Sequence, residues 1–194
     1  MKQPVFTVIA GANGSGKSTL TSGSPNDFSQ FPLLDPDAIA NTIRSSELHA
    51  VALTAGRKVL ERIDSYLEAK QSFAVETTLS GKNYLRTMAN AGQRGFQVVL
   101  VYIGTANVEI NLSRIVARVL VGGHDVPEAD VRRRYVRSFQ HLPLAFTLAD
   151  AVILFDNSTD QSYQLVGIGD KDNFQWMGPL PQWAVSLKAL RNSS

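Results

Sequence analysis

A glycine-rich stretch near the N-terminus constrains this chain more than any other part of its sequence. Residues 11–19, GANGSGKST, fit the pattern G-x-x-x-x-G-K-[ST], in which two glycines and a Lys-Ser pair stand at fixed positions. In such a loop the backbone N–H groups curl around a phosphate, the lysine neutralises the β- and γ-phosphates, and the following hydroxyl ligates Mg2+. We therefore predict a nucleoside triphosphate site with Mg2+, in which the nucleotide contacts Gly11, Ala12, Asn13, Gly14, Ser15, Gly16, Lys17, Ser18 and Thr19.

The residues on either side of this loop have the strand-then-helix order that such a site requires. Residues 4–10, PVFTVIA, are apolar and rich in β-formers, which is typical of a strand buried on both faces. A helix is predicted to begin near Lys17, where its N-terminus also faces the anion.

Apolar runs and helical apolar stripes alternate along the rest of the chain. Further strands are predicted at 31–35, 72–78, 96–104 and 150–156, and an antiparallel edge strand at 162–167. Helices are predicted at 36–40, 47–70, 82–93, 107–121 and 127–142, the last of which ends or kinks at Pro143. This order predicts an α/β fold, a three-layer sandwich of the P-loop NTPase or kinase type, with a mostly parallel five-stranded sheet plus an antiparallel edge strand. The tail is expected to pack onto the domain through Trp176 and Trp183.

Length and composition exclude several classes of protein. The 194 residues suit one domain over 1–194, and a net charge of +2 with no basic tail does not indicate a nucleic-acid binder. The absence of cysteine excludes disulfides and cysteine-bound metals and fits a reducing cytosol. Because no apolar run has the length of a signal peptide or a bilayer span, we expect a cytoplasmic protein without a membrane partner.

Polar residues follow two of the predicted strands, at the edge where parallel sheets bind ligands. Asp35 and Asp37 follow the second strand and Glu76 and Thr78 the third, so we expect them near the phosphate loop. A kinase needs a carboxylate that orients the acceptor hydroxyl and takes its proton, and Asp37 is the candidate for this base. Glu76 is expected to hold Mg2+ together with Ser18, or to bind a substrate hydroxyl. The alternatives are that both aspartates only cap a helix, as is expected of Asp35, and that Glu76 is a solvated strand end.

Arginines form a second cluster of candidates. Arg114 and Arg118 share one face of a helix, and Arg134 lies on the next helix. The Gly-Gly pair between these helices predicts a helical lid around 106–147 that closes over the nucleotide. We expect Arg118 and Arg134 to act on the charge of the transferred phosphoryl group, because planar guanidinium groups match its oxygens. The alternative is that the arginines form a solvated face.

Several of these segments together resemble the zeta-toxin group of P-loop kinases, in particular its small, stand-alone bacterial members. The resemblance covers roughly residues 4–158, and its joint spacing is far more specific than the phosphate loop alone. The segments that carry it are residues 11–19, DPD at 35–37, ETTLS at 76–80, RVLVGGHDVP at 118–127, RRY at 133–135 and DNS at 156–158.

The resemblance implies a kinase that moves the γ-phosphate of ATP onto a hydroxyl, which in the toxins is the 3′-hydroxyl of UDP-N-acetylglucosamine. A small-molecule acceptor such as a UDP-sugar is therefore the expected partner, with an antitoxin protein as a further one. The roles that it implies are phosphate and Mg2+ binding for Lys17 and Ser18, the base for Asp37, acceptor contacts for Glu76 and Thr78, and a phosphoryl clamp for Arg118 and Arg134.

Two other functions stay open at this point. One is a kinase for the 5′ or 2′ hydroxyls of nucleic acid, which the near-neutral charge and the lack of a basic, aromatic run disfavour. The other is a switch or binding module in which ATP or GTP orders the arginine lid for a partner. The sequence has no Asn-Lys-x-Asp guanine signature, which disfavours GTP.

Overall fold

The computed structural model of the protein describes residues 2–23, 31–36, 39 and 48–190. The strands are β1 Val5–Ala10, β2 Leu33–Leu34, β3 Phe73–Thr77, β4 Gln97–Gly104, β5 Ala151–Asp156, β6 Gln164–Asp170 and β7 Phe174–Trp176. The helices are α1 Lys17–Gly23, α2 Leu48–Glu68, α3 Asn83–Gln93, α4 Val108–Leu120, α5 Glu128–Leu148 and α6 Gln182–Val185, with a 3-10 turn at Ser186–Leu190.

The strands form one sheet in the order β2-β3-β1-β4-β5-β6-β7. The first five in this order pair in parallel, and β6 and β7 add in antiparallel fashion. The predicted α/β fold is confirmed, and the antiparallel edge has a second strand, β7, that the sequence did not indicate. Because β1 lies between β3 and β4, the loop after β1 is at the middle of the edge where parallel sheets bind ligands.

Both faces of the sheet are buried, as its apolar strands predict. On one face Phe6 stacks on Phe73 with ring centroids 4.6 Å apart, and Phe73 meets Phe96 edge-on at 6.1 Å. On the other face Ile9 and Ile103 are 0 % exposed and pack with the partly buried Leu20 of α1. Since neighbouring residues of a strand point to opposite faces, a strand with no polar alternation needs helices on both sides.

Helix α5 does not end at Pro143, where the sequence predicts a stop or a kink. It continues to Leu148 with the proline inside it. A proline in a helix costs about 3 kcal/mol because it lacks an N–H and crowds the preceding turn. Leu142, Ala145 and Phe146 are at most 1 % exposed, and burial of a large apolar side chain contributes about 1.5–3 kcal/mol. Core contacts on both sides of the proline thus keep the helix continuous.

The C-terminal segment packs on the domain through its two tryptophans, as the sequence predicts. The Trp176 ring lies 4.8 Å from Phe174 and 6.2 Å from Phe146. The Trp183 ring lies 5.7 Å from Tyr102 and 6.0 Å from Phe139. In the described part of the chain, none of the helices combines the length and the hydropathy needed to span a bilayer.

Candidate active site

The phosphate loop leaves β1 after Ala10 and enters α1 at Lys17. Three of its glycines have positive φ angles, 151° at Gly11, 78° at Gly14 and 103° at Gly16, which L side chains rarely adopt. A Cβ atom at Gly14 would also lie 2.5 Å from the carbonyl oxygen of Asn111. The loop therefore requires glycine both for its conformation and for the close approach of α4.

Three side chains from other parts of the chain hold the backbone of the loop. Each donates a hydrogen bond to a loop carbonyl. Because the C=O and N–H of a trans peptide lie in one plane and point in opposite directions, each of these bonds also fixes the direction of the N–H of the next residue. The loop is thereby arranged to receive an anion. The carbonyls of Asn13, Ser15 and Gly16 accept from Asn111 Nδ2 at 2.7 Å, Asn157 Nδ2 at 2.8 Å and the Tyr163 hydroxyl at 2.7 Å.

The surroundings of two of these side chains, Asn111 and Tyr163, keep them as hydrogen-bond donors to the loop. Asn111 is 0 % exposed, and its Oδ1 accepts a hydrogen bond from Thr105 Oγ1 at 2.5 Å, which directs its amide nitrogen to the loop. Burial raises the pKa of the Tyr163 phenol above its ordinary value, so the hydroxyl stays a neutral donor at physiological pH.

Lys17, Ser18 and Glu76 come together at the mouth of the loop. The Lys17 Nζ donates to the Ala12 carbonyl at 3.1 Å and lies 4.0 Å from Glu76 Oε1. The same carboxylate oxygen accepts from Ser18 Oγ at 2.8 Å. Glu76 is 7 % exposed, so the alternative of a solvated strand end does not hold.

The pairing of Ser18 with Glu76 fits a magnesium ion. A hydroxyl and a carboxylate are hard oxygen ligands, and Mg2+ in nucleotide sites is held by one or two protein oxygens with phosphates and waters as the rest. Within the described residues, no group of three or more His, Cys, Asp or Glu side chains is arranged to hold a metal.

A cleft of about 500 Å3 lies over the loop, with α4 and residues 157–163 as its far wall. Arg114 is fixed in that wall, since it donates to the carbonyls of Asn157 at 2.7 Å and Thr159 at 3.1 Å. It also lies 3.7 Å from the exposed Asp160. The sequence predicts only that Arg114 shares a helix face with Arg118, and it assigns no role to Arg114.

The two arginines predicted to act on the phosphoryl group both lie near the loop. Arg118 is exposed and lines the cleft, and its NH2 donates to the His124 carbonyl at 2.6 Å, across the Gly-Gly corner. Arg134 NH1 donates to Asn13 Oδ1 at 3.3 Å, and its NH2 lies 3.8 Å from Asp130. The alternative that the arginines form a solvated face is therefore wrong for Arg134, because its side chain is partly buried against the loop.

The remaining predicted residues follow β2 and β3. The hydroxyls of Thr78 and Ser80 lie 2.9 Å apart, just after β3. The carbonyl of Asp35 accepts from Ile39 N at 3.0 Å, as expected where a helix begins. Asp37, the predicted base, lies outside the described residues, and its role stays a prediction.

Sequence reasoning missed three loop contacts. Asn111 carried a signal that could have found it, because it lies four residues before Ile115 on the buried side of α4, where an amide needs partners. From the sequence, Asn157 is predicted only as a turn residue and as part of the resemblance, and Tyr163 only as part of an edge strand. Nothing local marks either side chain as a contact of the phosphate loop.

The strand order, the phosphate loop between β1 and α1, and the Lys17–Ser18–Glu76 cluster define a fold of the P-loop kinase class. The family model described as Zeta toxin matches residues 1–175. The chain belongs to this family.

One similar protein comes from Haemophilus influenzae. That uncharacterised protein is 42% identical over 125 residues, which are 64% of this chain and 88% of the relative.

Two solved structures resemble the chain over nearly its whole length. The PezAT chromosomal toxin–antitoxin system of Streptococcus pneumoniae superposes with a TM-score of 0.64 at 16% identity, over 98% of this chain and 79% of that chain. The AvrRxo1-ORF1:-ORF2 structure with ATP superposes with a TM-score of 0.71 at 15% identity, over 98% of this chain and 64% of that chain. At these identities the likeness shows the shared fold.

Proposed function

We propose that the protein is an ATP-dependent kinase that transfers the γ-phosphate of ATP to a hydroxyl of a UDP-sugar or a related small metabolite. The observation that carries this proposal is the preset phosphate loop with Lys17, Ser18 and Glu76 at its mouth. Family membership supports phosphoryl transfer, and the ATP in the similar AvrRxo1-ORF1:-ORF2 structure supports the choice of nucleotide.

The loop residues would bind the phosphates of the nucleotide. The N–H groups of residues 11–19 and the Lys17 ammonium would neutralise the phosphate oxygens, which repel an incoming oxygen nucleophile when unpaired. Ser18 and Glu76 would hold Mg2+, which when bound supplies positive charge to the β- and γ-phosphates.

The reaction itself needs a base and a clamp for the moving phosphoryl group. The acceptor oxygen attacks the γ-phosphorus, the bond to the β–γ bridging oxygen breaks, and ADP leaves. Asp37 would take the proton of the acceptor hydroxyl, with Glu76 and Thr78 as acceptor contacts. Arg118 and Arg134 would stabilise charge on the transferred oxygens.

We propose that residues 106–147 act as the lid over the bound nucleotide. Support comes from Arg118, an exposed cleft residue whose side chain donates to the His124 carbonyl in the α4–α5 corner. Rotation of the Arg118 side chain toward the cleft would exchange that carbonyl for phosphate oxygens. A stronger, charge-assisted hydrogen bond would then favour the closed state.

The proposed acceptor and the proposed protein partner come from similarity to known proteins. The UDP-sugar follows from the resemblance to zeta toxins. An antitoxin-type protein partner is proposed because the pneumococcal structure is that of a toxin–antitoxin system.

The test is a screen of nucleotide-sugar and metabolite pools with γ-labelled ATP, with wild type and Lys17→Ala side by side. We expect label to move to one or a few metabolites with wild type only. We also expect Mg-ATP to raise the melting temperature of wild type, and Lys17→Ala to lose most of this shift. A variant at the exposed Lys188, Lys188→Ala, is the control for charge removal. An equal ATP-dependent shift in wild type and Lys17→Ala would overturn the assignment of the loop.

A further inference from the structure

The C-terminal segment contacts the ends of β4 and β5 through Trp183, which lies beyond the residues matched by the family model. The Trp183 indole Nε1 donates to Asp156 Oδ2 at 2.7 Å. Its ring also covers the end of β4, where a Cβ atom on Gly104 would lie 2.7 Å from Trp183 Cζ2. One side chain from α6 thus fixes the ends of both β4 and β5.

The carboxylate that Trp183 holds organises the turn after β5. Asp156 is 8 % exposed, and its second oxygen, Oδ1, accepts from the backbone N–H of Ser158 at 2.9 Å. Asn157 lies between these two residues, and its side chain donates to the Ser15 carbonyl of the phosphate loop. The direction of the Asn157 side chain therefore depends on the turn that Asp156 closes.

A second series of hydrogen bonds connects the end of β4 to the phosphate loop. Thr105, directly after Gly104, donates to Asn111 through its hydroxyl at 2.5 Å. Asn111 in turn donates to the Asn13 carbonyl at 2.7 Å. Tyr135 of α5 closes this connection by donating to the Thr105 carbonyl at 2.8 Å.

We propose that Trp183 is a positioning residue for the nucleotide site, which acts through Asp156 and Asn157 on the backbone of the phosphate loop. This inference rests on the proposed function, since it concerns the affinity for Mg-ATP. Without the indole N–H of Trp183, Asp156 Oδ2 loses the donor of its hydrogen bond. The carboxylate is then free to rotate away from the Ser158 N–H. The Asn157 amide would lose its fixed direction toward Ser15.

The chain provides a matched control for this change. Trp176 is also packed against aromatic rings, and its Nε1 is buried without a hydrogen-bond partner among the described residues. Trp176→Phe therefore removes the same atoms as Trp183→Phe but no hydrogen bond. A difference between the two variants reports the Trp183–Asp156 bond rather than the loss of indole surface.

The experiment measures the dissociation constant of Mg-ATP by calorimetry for wild type, Trp183→Phe, Trp176→Phe and Asp156→Asn, with melting temperatures alongside. We expect Trp183→Phe to weaken Mg-ATP binding about threefold, a part of the loss expected when the Asn157 contact itself is removed, and Trp176→Phe to stay near wild type. Asp156→Asn is expected to weaken binding as well, and its combination with Trp183→Phe to be less than additive.

A spectroscopic measurement keeps the inference testable if Trp183→Phe fails to fold. The chain has two tryptophans, so Trp183 is the only one in the Trp176→Phe variant. Because coupling between sites is reciprocal, Mg-ATP is expected to change the Trp183 emission with the same dissociation constant as in calorimetry.

The outcomes separate this inference from the function on which it rests. Failure of wild type to bind Mg-ATP overturns the proposed function. Tight binding by wild type with equal affinity in Trp183→Phe, or saturating Mg-ATP without any change in Trp183 emission, overturns only the role of Trp183.

Discussion

The side chain of Asn157 donates a 2.8 Å hydrogen bond to the carbonyl oxygen of Ser15, a residue 142 positions earlier in the sequence. This contact joins the end of β5 to the phosphate loop at the sheet edge. It fixes the direction of the Ser15 carbonyl and, with it, that of the Gly16 N–H on the same peptide plane. The backbone Asn157 carbonyl also accepts from Arg114, so the same residue ties the loop to α4.

We expect Asn157→Ala to weaken Mg-ATP binding by about 1 kcal/mol, or roughly fivefold, because the Ser15 carbonyl loses its donor. Calorimetric titration with Mg-ATP measures the change. The control is Asn173→Ala in the exposed turn between β6 and β7, which should bind like wild type. Equal affinities for all three proteins would show that the loop does not need this contact.

Glu76→Gln is expected to raise the Mg2+ concentration needed for half-maximal phosphoryl transfer. Glutamine keeps an acceptor for the Ser18 hydroxyl but removes the charge that faces both Lys17 and the metal. A Mg2+ titration at fixed ATP gives the measurement. Glu61→Gln on the exposed side of α2 is the matched control. An unchanged Mg2+ dependence in Glu76→Gln would remove Glu76 from the metal site.

Arg134→Ala is expected to lower kcat by about 10- to 100-fold, with a smaller change in ATP affinity, if its guanidinium acts on transition-state charge. Arg133→Ala is the control, since Arg133 shares the helix and pairs with the same Asp130 at 2.8 Å, but is exposed. Arg118→Ala is expected to behave like Arg134→Ala. A rise in KM at constant kcat would instead assign these arginines to ground-state nucleotide binding.

Asp37→Asn is expected to leave ATP binding intact while transfer to the acceptor falls, because asparagine keeps the shape of the side chain but cannot take a proton. General-base catalysis contributes about 10²–10⁴-fold in rate. Asp35→Asn should cost about 1 kcal/mol of stability or less, because asparagine is also a good helix cap. Phosphoryl transfer at saturating ATP, with melting temperatures, measures both. A stable but inactive Asp35→Asn beside an active Asp37→Asn would reverse the two roles.

The binding loop and its partners Lys17 and Ser18 could be predicted because their chemistry is local. A nine-residue loop carries its glycines, cation and hydroxyl at fixed spacing, and the apolar run before it predicts the strand. Glu76 could be placed beside the loop from the rule that parallel strands end at one edge of a sheet. In the structure Glu76 pairs in register with Ile9 of β1, close to that edge.

The contacts that hold the loop in shape were decided by tertiary packing. Asn111, Asn157 and Tyr163 are ordinary polar residues in the sequence, and their loop partners are 98, 142 and 147 positions away. The same reason explains the unbroken helix at Pro143, where buried neighbours outweigh a local preference. Periodicity and motif spacing report the conformations of neighbouring residues. Which distant side chain meets a given carbonyl depends on the order of the strands, and that order exists only once the sheet has formed.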